Sequence, residues 1–130
     1  MNGAVLAFIG DAVMALHVKT YLVSNGYTKS KQLQQLSELF LSAKAQADFA
    51  KHCLEHDLFD ETMLDIFYRG RNHKSNTIPK NSDVTTYRMA TGLEAVWGYF
   101  YSNQETLALE EIWETYKTFI KEKHETISLR

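Results

Sequence analysis

The stretch A-V-L-A-F-I-G-D-A-V-M-A-L-H-V, residues 4 to 18, is almost wholly apolar, yet Asp11 lies near its middle. The pattern is typical of a core helix. An unpaired ionised carboxylate on its apolar face would cost roughly several kcal/mol, so we expect a cation, a metal ion or hydrogen-bond donors beside Asp11. Gly10 costs a helix about 1 kcal/mol relative to alanine, which indicates the close approach of another backbone. At the helical period, the residues that share a face with Asp11 are Ala7, Phe8, Met14, Ala15 and Val18.

A second stretch, Y-R-M-A-T-G-L-E-A-V-W-G-Y-F-Y at residues 87 to 101, repeats the arrangement with Glu94 as its acid. We therefore expect the two helices to pack together and to put Asp11 and Glu94 beside one another, with the rest of the chain built around that pair. The residues that share a face with Glu94 are Ala90, Thr91, Trp97, Gly98 and Tyr101.

The composition indicates one domain, residues 1–130, of 130 residues with 45% hydrophobic content. One proline and six glycines leave little room for a β-rich architecture. With a net charge of −2, any site for a polyanion must be a local patch. A single cysteine excludes an internal disulfide, and there is no run of about 18 apolar residues for a membrane span, so we expect a cytoplasmic protein. The chain begins almost inside its first helix, which suggests a trimmed natural N-terminus.

The hydrophobic periodicity predicts an all-α bundle of five to seven helices. We expect a first helix from Asn2 to Val23 that ends at Asn25-Gly26, and a second helical region that is capped by Thr28 or Ser30 and continues through a bend near Ser42 to Leu54. A further helix begins at Asp60-Glu61. The helix that carries Glu94 is capped by Ser82 or Asp83, and a last helix spans about residues 107 to 125.

The periodicity lapses in R-G-R-N-H-K-S-N-T-I-P-K-N-S, residues 69 to 82, which contain four basic residues and no acid. A long irregular segment inside a compact domain is usually functional. Its cations and asparagines could contact phosphates and sugar hydroxyls along a duplex. The segment leads into the Glu94 helix, so a bound backbone would lie near the acids. A solvated surface turn is the alternative. The candidates for RNA binding are Arg69, Arg71, Asn72, Lys74, Lys80, Asn81 and Arg88, with Asn76 in the same segment.

Two interpretations of the acids are open. They form a structural ion pair with Lys44 or Arg88, or both carboxylates hold Mg²⁺, which prefers hard oxygen ligands and supports phosphodiester hydrolysis. For Lys44 in S-A-K-A-Q-A, residues 42 to 47, a small-residue helix junction is favoured over contact with a phosphate.

Two motifs in order resemble the ribonuclease III family. L-A-F-I-G-D-A-V, residues 6 to 13, is similar to the family signature L-E-F-L-G-D-A-V, and A-T-G-L-E-A, residues 90 to 95, is similar to A-D-T-x-E-A. R-G-R-N-x-K-S, P-K-N-x-D-V-x-T-Y-R and S-A-K-A-Q-A resemble motifs of the Mini-III subgroup, the short bacterial enzymes that lack a double-stranded-RNA-binding domain. The resemblance covers nearly the whole chain.

The resemblance implies an all-α helical bundle of the ribonuclease III catalytic-domain type. It makes Asp11 the catalytic, metal-binding aspartate and Glu94 the second catalytic ligand of Mg²⁺, with Mn²⁺ as an alternative. The family's other acids fall at Ala4, Ala7 and Thr91, so this chain lacks them. The resemblance also implies a homodimer with the signature helices near its two-fold axis, and maturation of the 23S ribosomal RNA precursor.

Three functions are compatible with these residues. The preferred one is a Mg²⁺-dependent endoribonuclease that cuts double-stranded RNA, in which the basic residues around 69 to 88 grip the duplex and Lys44 is a further contact. The alternative is a non-catalytic module of the same fold that binds structured RNA, which the missing acids at Ala7 and Thr91 favour. The third is a helical scaffold with ion-paired acids.

Overall fold

The computed structural model describes residues 1–73, 83–127 and 129–130. This part of the chain forms helices and no strands, which confirms the predicted all-α class. Its elements are α1 (Gly3–Ser24), α2 (Ser30–Leu41), α3 (Ala43–Glu55), α4 (Glu61–Arg71), α5 (Val84–Ser102), α6 (Thr106–Lys123) and a short 3₁₀ helix (Glu125–Ile127).

The centre of the bundle is the crossing of α1 and α5, where two glycines let the backbones touch. A Cβ atom on Gly10 would lie 1.7 Å from the carbonyl oxygen of Glu94, and a Cβ on Gly98 would lie 1.9 Å from that of Leu6. Both distances are far below van der Waals contact, so no side chain fits at either position. The close approach that Gly10 predicts is confirmed.

Helix α4 joins the same end of this pair through further close contacts. A Cβ on Gly70 would lie 2.7 Å from the Cβ of Ala95, and one on Gly92 would lie 2.7 Å from the ring of Phe67. The start of α1 meets the end of α4, because a Cβ on Gly3 would be 2.4 Å from the carbonyl oxygen of Arg69. The first turns of α1, the last turn of α4 and the first half of α5 therefore converge.

Helices α2, α3 and α6 cover the other side of α1 and α5 with large buried side chains. The indole Nε1 of Trp97 donates a hydrogen bond to Nδ1 of His17 at 3.1 Å, and the hydroxyl of the fully buried Tyr116 donates to the carbonyl oxygen of Phe40. These bonds satisfy polar atoms that would otherwise destabilise the core.

One predicted helix cap is wrong. Neither Thr28 nor Ser30 caps α2, whose N-cap is Lys29 without a side-chain hydrogen bond. The bend predicted near Ser42 is present and divides the region into two helices, because Ser42 is extended (φ −65°, ψ 149°) and its hydroxyl accepts from the backbone N–H of Ala45 at 3.1 Å. A serine that can cap a new helix competes with continuation of the old one.

The other predicted starts agree with the structure. Asp60 caps α4 by accepting from the N–H of Met63 at 2.9 Å, and Asp83 caps α5 by accepting from that of Thr85 at 3.3 Å. The helical structure extends further than predicted, because α4 continues to Arg71 and Gly70 packs on α5. Arg69 and Arg71 are thus helical.

One face of α1 stays uncovered. Among the described residues, α1 alone is long and apolar enough to cross a membrane, with a mean hydropathy of 1.4. Core helices of globular proteins can have the same length and hydropathy. Its contact with α5 identifies it as a core helix. Its exposed apolar side chains are Val5, Phe8, Leu16 and Val23.

Candidate active site

A cleft of about 540 Å³ opens where α1, α4 and α5 converge. We call it the acid cleft, because both Asp11 and Glu94 line it, as the sequence predicts. Its lining is completed by Ala4, Ala7, Phe8, Gly70, His73, Tyr87, Arg88 and Thr91.

The helical wheel predicts that Asp11 points along an apolar stripe of α1. In the structure Asp11 is instead exposed on the wall of the cleft. Ala7, Met14 and Val18 are indeed buried, but Phe8 on the other side of Asp11 is 81% exposed. The contact at Gly10 presses one side of α1 against α5 and leaves Asp11 at the edge of that contact. A carboxylate there reaches both solvent and the cleft floor.

Glu94 is half-buried on the opposite wall. Burial raises the pKa of Glu94 to about 9, and a hydrogen bond to Asp11 and the negative charge of Asp11 act in the same direction. Glu94 therefore keeps its proton at neutral pH when no cation is present. A divalent cation would replace that proton.

Neither acid has a cationic partner among the described residues. Lys44 lies 3.1 Å from Asp48 instead, and Asp48 also pairs with Lys123 of α6. Arg88 lines the cleft but forms no ion pair with a described carboxylate. The structural ion pair with Lys44 or Arg88 is therefore wrong for the part of the chain that the structure describes.

The predicted RNA-binding residues are spread over more than one surface. Nη2 of Arg69 donates to the carbonyl oxygen of Met1 at 2.8 Å, beside a separate cavity of about 480 Å³. Arg71 stacks on the ring of Tyr68 at 4.8 Å, and its Nε donates to the side chain of Asn72 at 3.1 Å. Of the described basic candidates, Arg88 alone lines the acid cleft. Lys74, Asn76, Lys80 and Asn81 lie outside the described residues.

Sequence reasoning missed two polar residues of the cleft, His73 and Tyr87. Tyr87 precedes Thr91 by four positions and Glu94 by seven, which is the spacing of one helical face. That periodicity, extended toward the start of α5, would have found Tyr87. His73 follows the end of α4, and nothing in the surrounding sequence indicates that it lines the cleft.

The positions where the family motifs carry additional acids also line the cleft. Ala4 and Ala7 lie on the α1 wall, and Thr91 lies one turn from Glu94 on α5. The hydroxyl of Thr91 donates to the carbonyl oxygen of Tyr87 at 2.9 Å. These three positions thus surround the acid pair without adding a carboxylate.

The donor set fits a hard divalent cation. Two carboxylates of α1 and α5 face one open cleft, and Mg²⁺ is commonly held by one or two carboxylates together with water. Among the described residues no three His, Cys, Asp or Glu side chains converge on one point. His52 and His56, whose rings are 4.5 Å apart, therefore lack a third ligand in that part of the chain.

Comparison with known proteins gives a consistent assignment. Residues 4–105 match the family model of the ribonuclease III domain. The Mini-ribonuclease 3 of Enterococcus faecalis is 43% identical over 86% of this chain and 85% of its own, and that of Staphylococcus aureus is 38% identical over 95% and 92%. The crystal structure of a Fusobacterium nucleatum protein superposes with a TM-score of 0.78, at 31% identity over 95% of this chain and 94% of the other. The chain therefore belongs to the ribonuclease III domain family and, within it, to the Mini-ribonuclease 3 group of endoribonucleases.

Proposed function

We propose that this ribonuclease is a Mg²⁺-dependent enzyme that cuts double-stranded RNA at the acid cleft, with Mn²⁺ as an alternative ion. The observation that carries the proposal is the convergence of Asp11 and Glu94 on one cleft without a described cationic partner. Such a pair is costly unless a cation neutralises it.

Asp11 and Glu94 would hold the ion between α1 and α5. A bound divalent cation supplies positive charge to a phosphate and eases the deprotonation of water. Glu94 must release its proton for the ion to bind, because its pKa is raised to about 9. Arg88 and His73, on the same cleft, are placed to donate hydrogen bonds to the RNA backbone.

The chain has a net charge of −2, so duplex binding must rely on a local cationic surface. In our proposal Arg88 contacts the RNA at the acid cleft, and further contacts come from Arg71, Asn72, Lys74, Lys80 and Asn81. Arg69 and Lys44 are weaker candidates, because Arg69 is engaged by Met1 and Asp65 and Lys44 by Asp48.

The exposed apolar face of α1 supports a homodimer in which this face packs on a second copy. Leu16 is 65% exposed and Phe8 81% exposed, a poor arrangement for an isolated chain in water. Phe8 also lines the acid cleft, so the second copy would lie close to the bound RNA. We further propose that the enzyme acts in the cytoplasm and matures the 23S ribosomal RNA precursor.

The test is cleavage of a labelled RNA duplex in Mg²⁺ and in excess chelator. We expect Asp11→Asn and Glu94→Gln to lose at least about 100-fold in rate, because each removes a proposed ligand of the ion. Glu110→Gln, which neutralises an exposed carboxylate on α6, is the matched control and should cut like the parent. Equal rates for Asp11→Asn and the parent would refute the proposal.

A second candidate function is a non-catalytic module that binds structured RNA. The presence of Ala4, Ala7 and Thr91 on the cleft, where the family motifs have acids, favours it. The same assay separates the two functions, since this module would bind the duplex in Mg²⁺ without cutting it.

A further inference from the structure

Two histidines lie together at the end of α3, away from the acid cleft. His52 and His56 are four positions apart on one face of the helix, and the centroids of their rings are 4.5 Å apart. The backbone N–H of His56 donates to the carbonyl oxygen of His52 at 3.0 Å, so the helical spacing persists to the C-cap. No described residue of α3 lines the acid cleft. The pair is therefore separate from the proposed catalytic site.

One imidazole of this pair is held by aromatic neighbours and the other is open to solvent. The half-buried ring of His52 packs on Phe119 of α6, with a centroid distance of 4.9 Å, whereas His56 is exposed. Among the described residues, the one imidazole that takes part in a side-chain hydrogen bond is that of His17, with Trp97. The ring nitrogens of His52 and His56 are therefore available to another ligand.

The separation of the two rings suits a single metal ion. Imidazole nitrogen binds transition-metal ions at about 2.1 Å, so two imidazoles on neighbouring corners of a square-planar or octahedral ion have centroids roughly 4.5 Å apart. The rings of His52 and His56 have this separation and are inclined by 49°. Small changes in side-chain torsion would bring both rings onto one ion.

The available donors select the class of ion. A structural zinc site usually has four protein ligands, and among the described residues no third His, Cys, Asp or Glu joins this pair. Mg²⁺ prefers oxygen ligands, which the pair does not supply. Two imidazoles with water in the remaining positions suit Cu²⁺ or Ni²⁺, and Cu²⁺ is the divalent ion that such ligands bind most tightly.

The charges at this end of α3 favour a cation. The last carbonyl groups of a helix give its C-terminus a partial negative charge. Glu55 and Asp57, both exposed, flank the second histidine in the sequence. The opposing charges are the exposed Lys51 on α3 and Lys123 on α6, and Lys123 is paired with Asp48.

We infer that His52 and His56 form a binding site for one divalent transition-metal ion, Cu²⁺ or Ni²⁺, that is independent of the acid cleft. A bound ion would stabilise the folded chain, because the unfolded chain does not hold the two imidazoles in this arrangement.

The test is a titration of the full chain with Cu²⁺, followed by electron paramagnetic resonance. We expect one bound Cu²⁺ per chain with two nitrogen ligands, retained in excess Mg²⁺. His56→Ala should weaken this binding by at least roughly tenfold, because it removes one of the two nitrogen ligands. His124→Ala, which removes the histidine at the C-cap of α6, is the matched control and should bind Cu²⁺ like the parent. Asp11→Asn should also bind like the parent, because the acid cleft is a different site.

Because His56 is exposed, His56→Ala should fold, and circular dichroism would verify this. A nitrogen-ligated Cu²⁺ that binds His56→Ala as tightly as the parent would overturn the inference, as would its loss in Asp11→Asn. The Tm gives a second readout: Ni²⁺ should raise the Tm of the parent and of His124→Ala but not that of His56→Ala. An equal rise in all three proteins would place the ion elsewhere and refute the site.

Discussion

Asp11 and Glu94 face each other across the acid cleft where α1 crosses α5, and Asp11 helps to raise the pKa of Glu94. These residues are far apart in the chain and close in space because two glycines bring their helices into backbone contact. Glu94 is largely withdrawn from water, whereas Asp11 is exposed to solvent. The properties of this pair and its surroundings lead to measurable expectations for stability, RNA binding and assembly.

The first expectation concerns pH. The pKa of Glu94 is raised from its ordinary value of 4.5 to about 9 in the folded chain, so protonated Glu94 favours the fold. This contribution is fully present below pH 4.5 and is lost as the pH rises through 9. In the absence of divalent ions, we expect the Tm of the parent to fall over this range more steeply than that of Glu94→Gln. Glu110→Gln should follow the parent, and parallel curves for Glu94→Gln and the parent would contradict the prediction.

The second expectation concerns the helix crossing. Gly10→Ala puts a Cβ where the carbonyl oxygen of Glu94 now lies, so α1 and α5 must separate. We expect a loss of at least about 3 kcal/mol in the free energy of unfolding, measured by urea denaturation. Thr20→Ala, on the exposed side of α1, should change it by less than about 0.5 kcal/mol. Similar values for the two variants would show that the crossing tolerates a side chain.

The third expectation concerns Arg88, the described basic candidate on the acid cleft. Arg88→Ala should weaken duplex binding at every sequence and reduce the slope of log affinity against log salt by about 1. Arg88→Lys should keep the slope, because it keeps the charge. Fluorescence anisotropy at several salt concentrations measures both quantities. An Arg88→Ala slope equal to that of Lys51→Ala, an exposed change on α3, would remove Arg88 from the contact surface.

The fourth expectation concerns assembly through α1. Leu16→Glu should convert a dimer into a monomer in sedimentation velocity, because it puts a charge into the proposed apolar interface. Leu107→Glu is the matched control: Leu107 is 78% exposed at the start of α6, and its substitution should leave the dimer intact. A monomeric parent, or a dimeric Leu16→Glu variant, would contradict the prediction.

The α1–α5 pairing could be predicted from the sequence because its signals are local and strong. An acid beside a glycine in an apolar helix has few physical explanations, and the same pattern around Glu94 suggests its partner. The helix caps at Asp60 and Asp83 could be predicted for the same reason, because a capping acid bonds a backbone N–H only two or three residues further along the chain.

The remaining features depend on which side of each helix its neighbours cover. A helical wheel gives Asp11 an apolar face but does not say that Phe8 on this face is exposed. Nothing in the basic stretch indicates that Arg69 turns to the backbone of Met1. At Ser42 the sequence predicts a bend, and the structure adds that capping by Ser42 makes this bend a complete break between two helices.

The contact at Gly10 and Gly98 gives the enzyme a particular vulnerability. The separation of the two catalytic candidates is set by main-chain atoms in contact, so no side-chain rearrangement can restore it once the helices move apart. Substitutions deep in the bundle, remote from any nucleic acid, would then impair hydrolysis and folding together. In a screen for inactive variants, the hits should include positions along this seam that never meet the substrate.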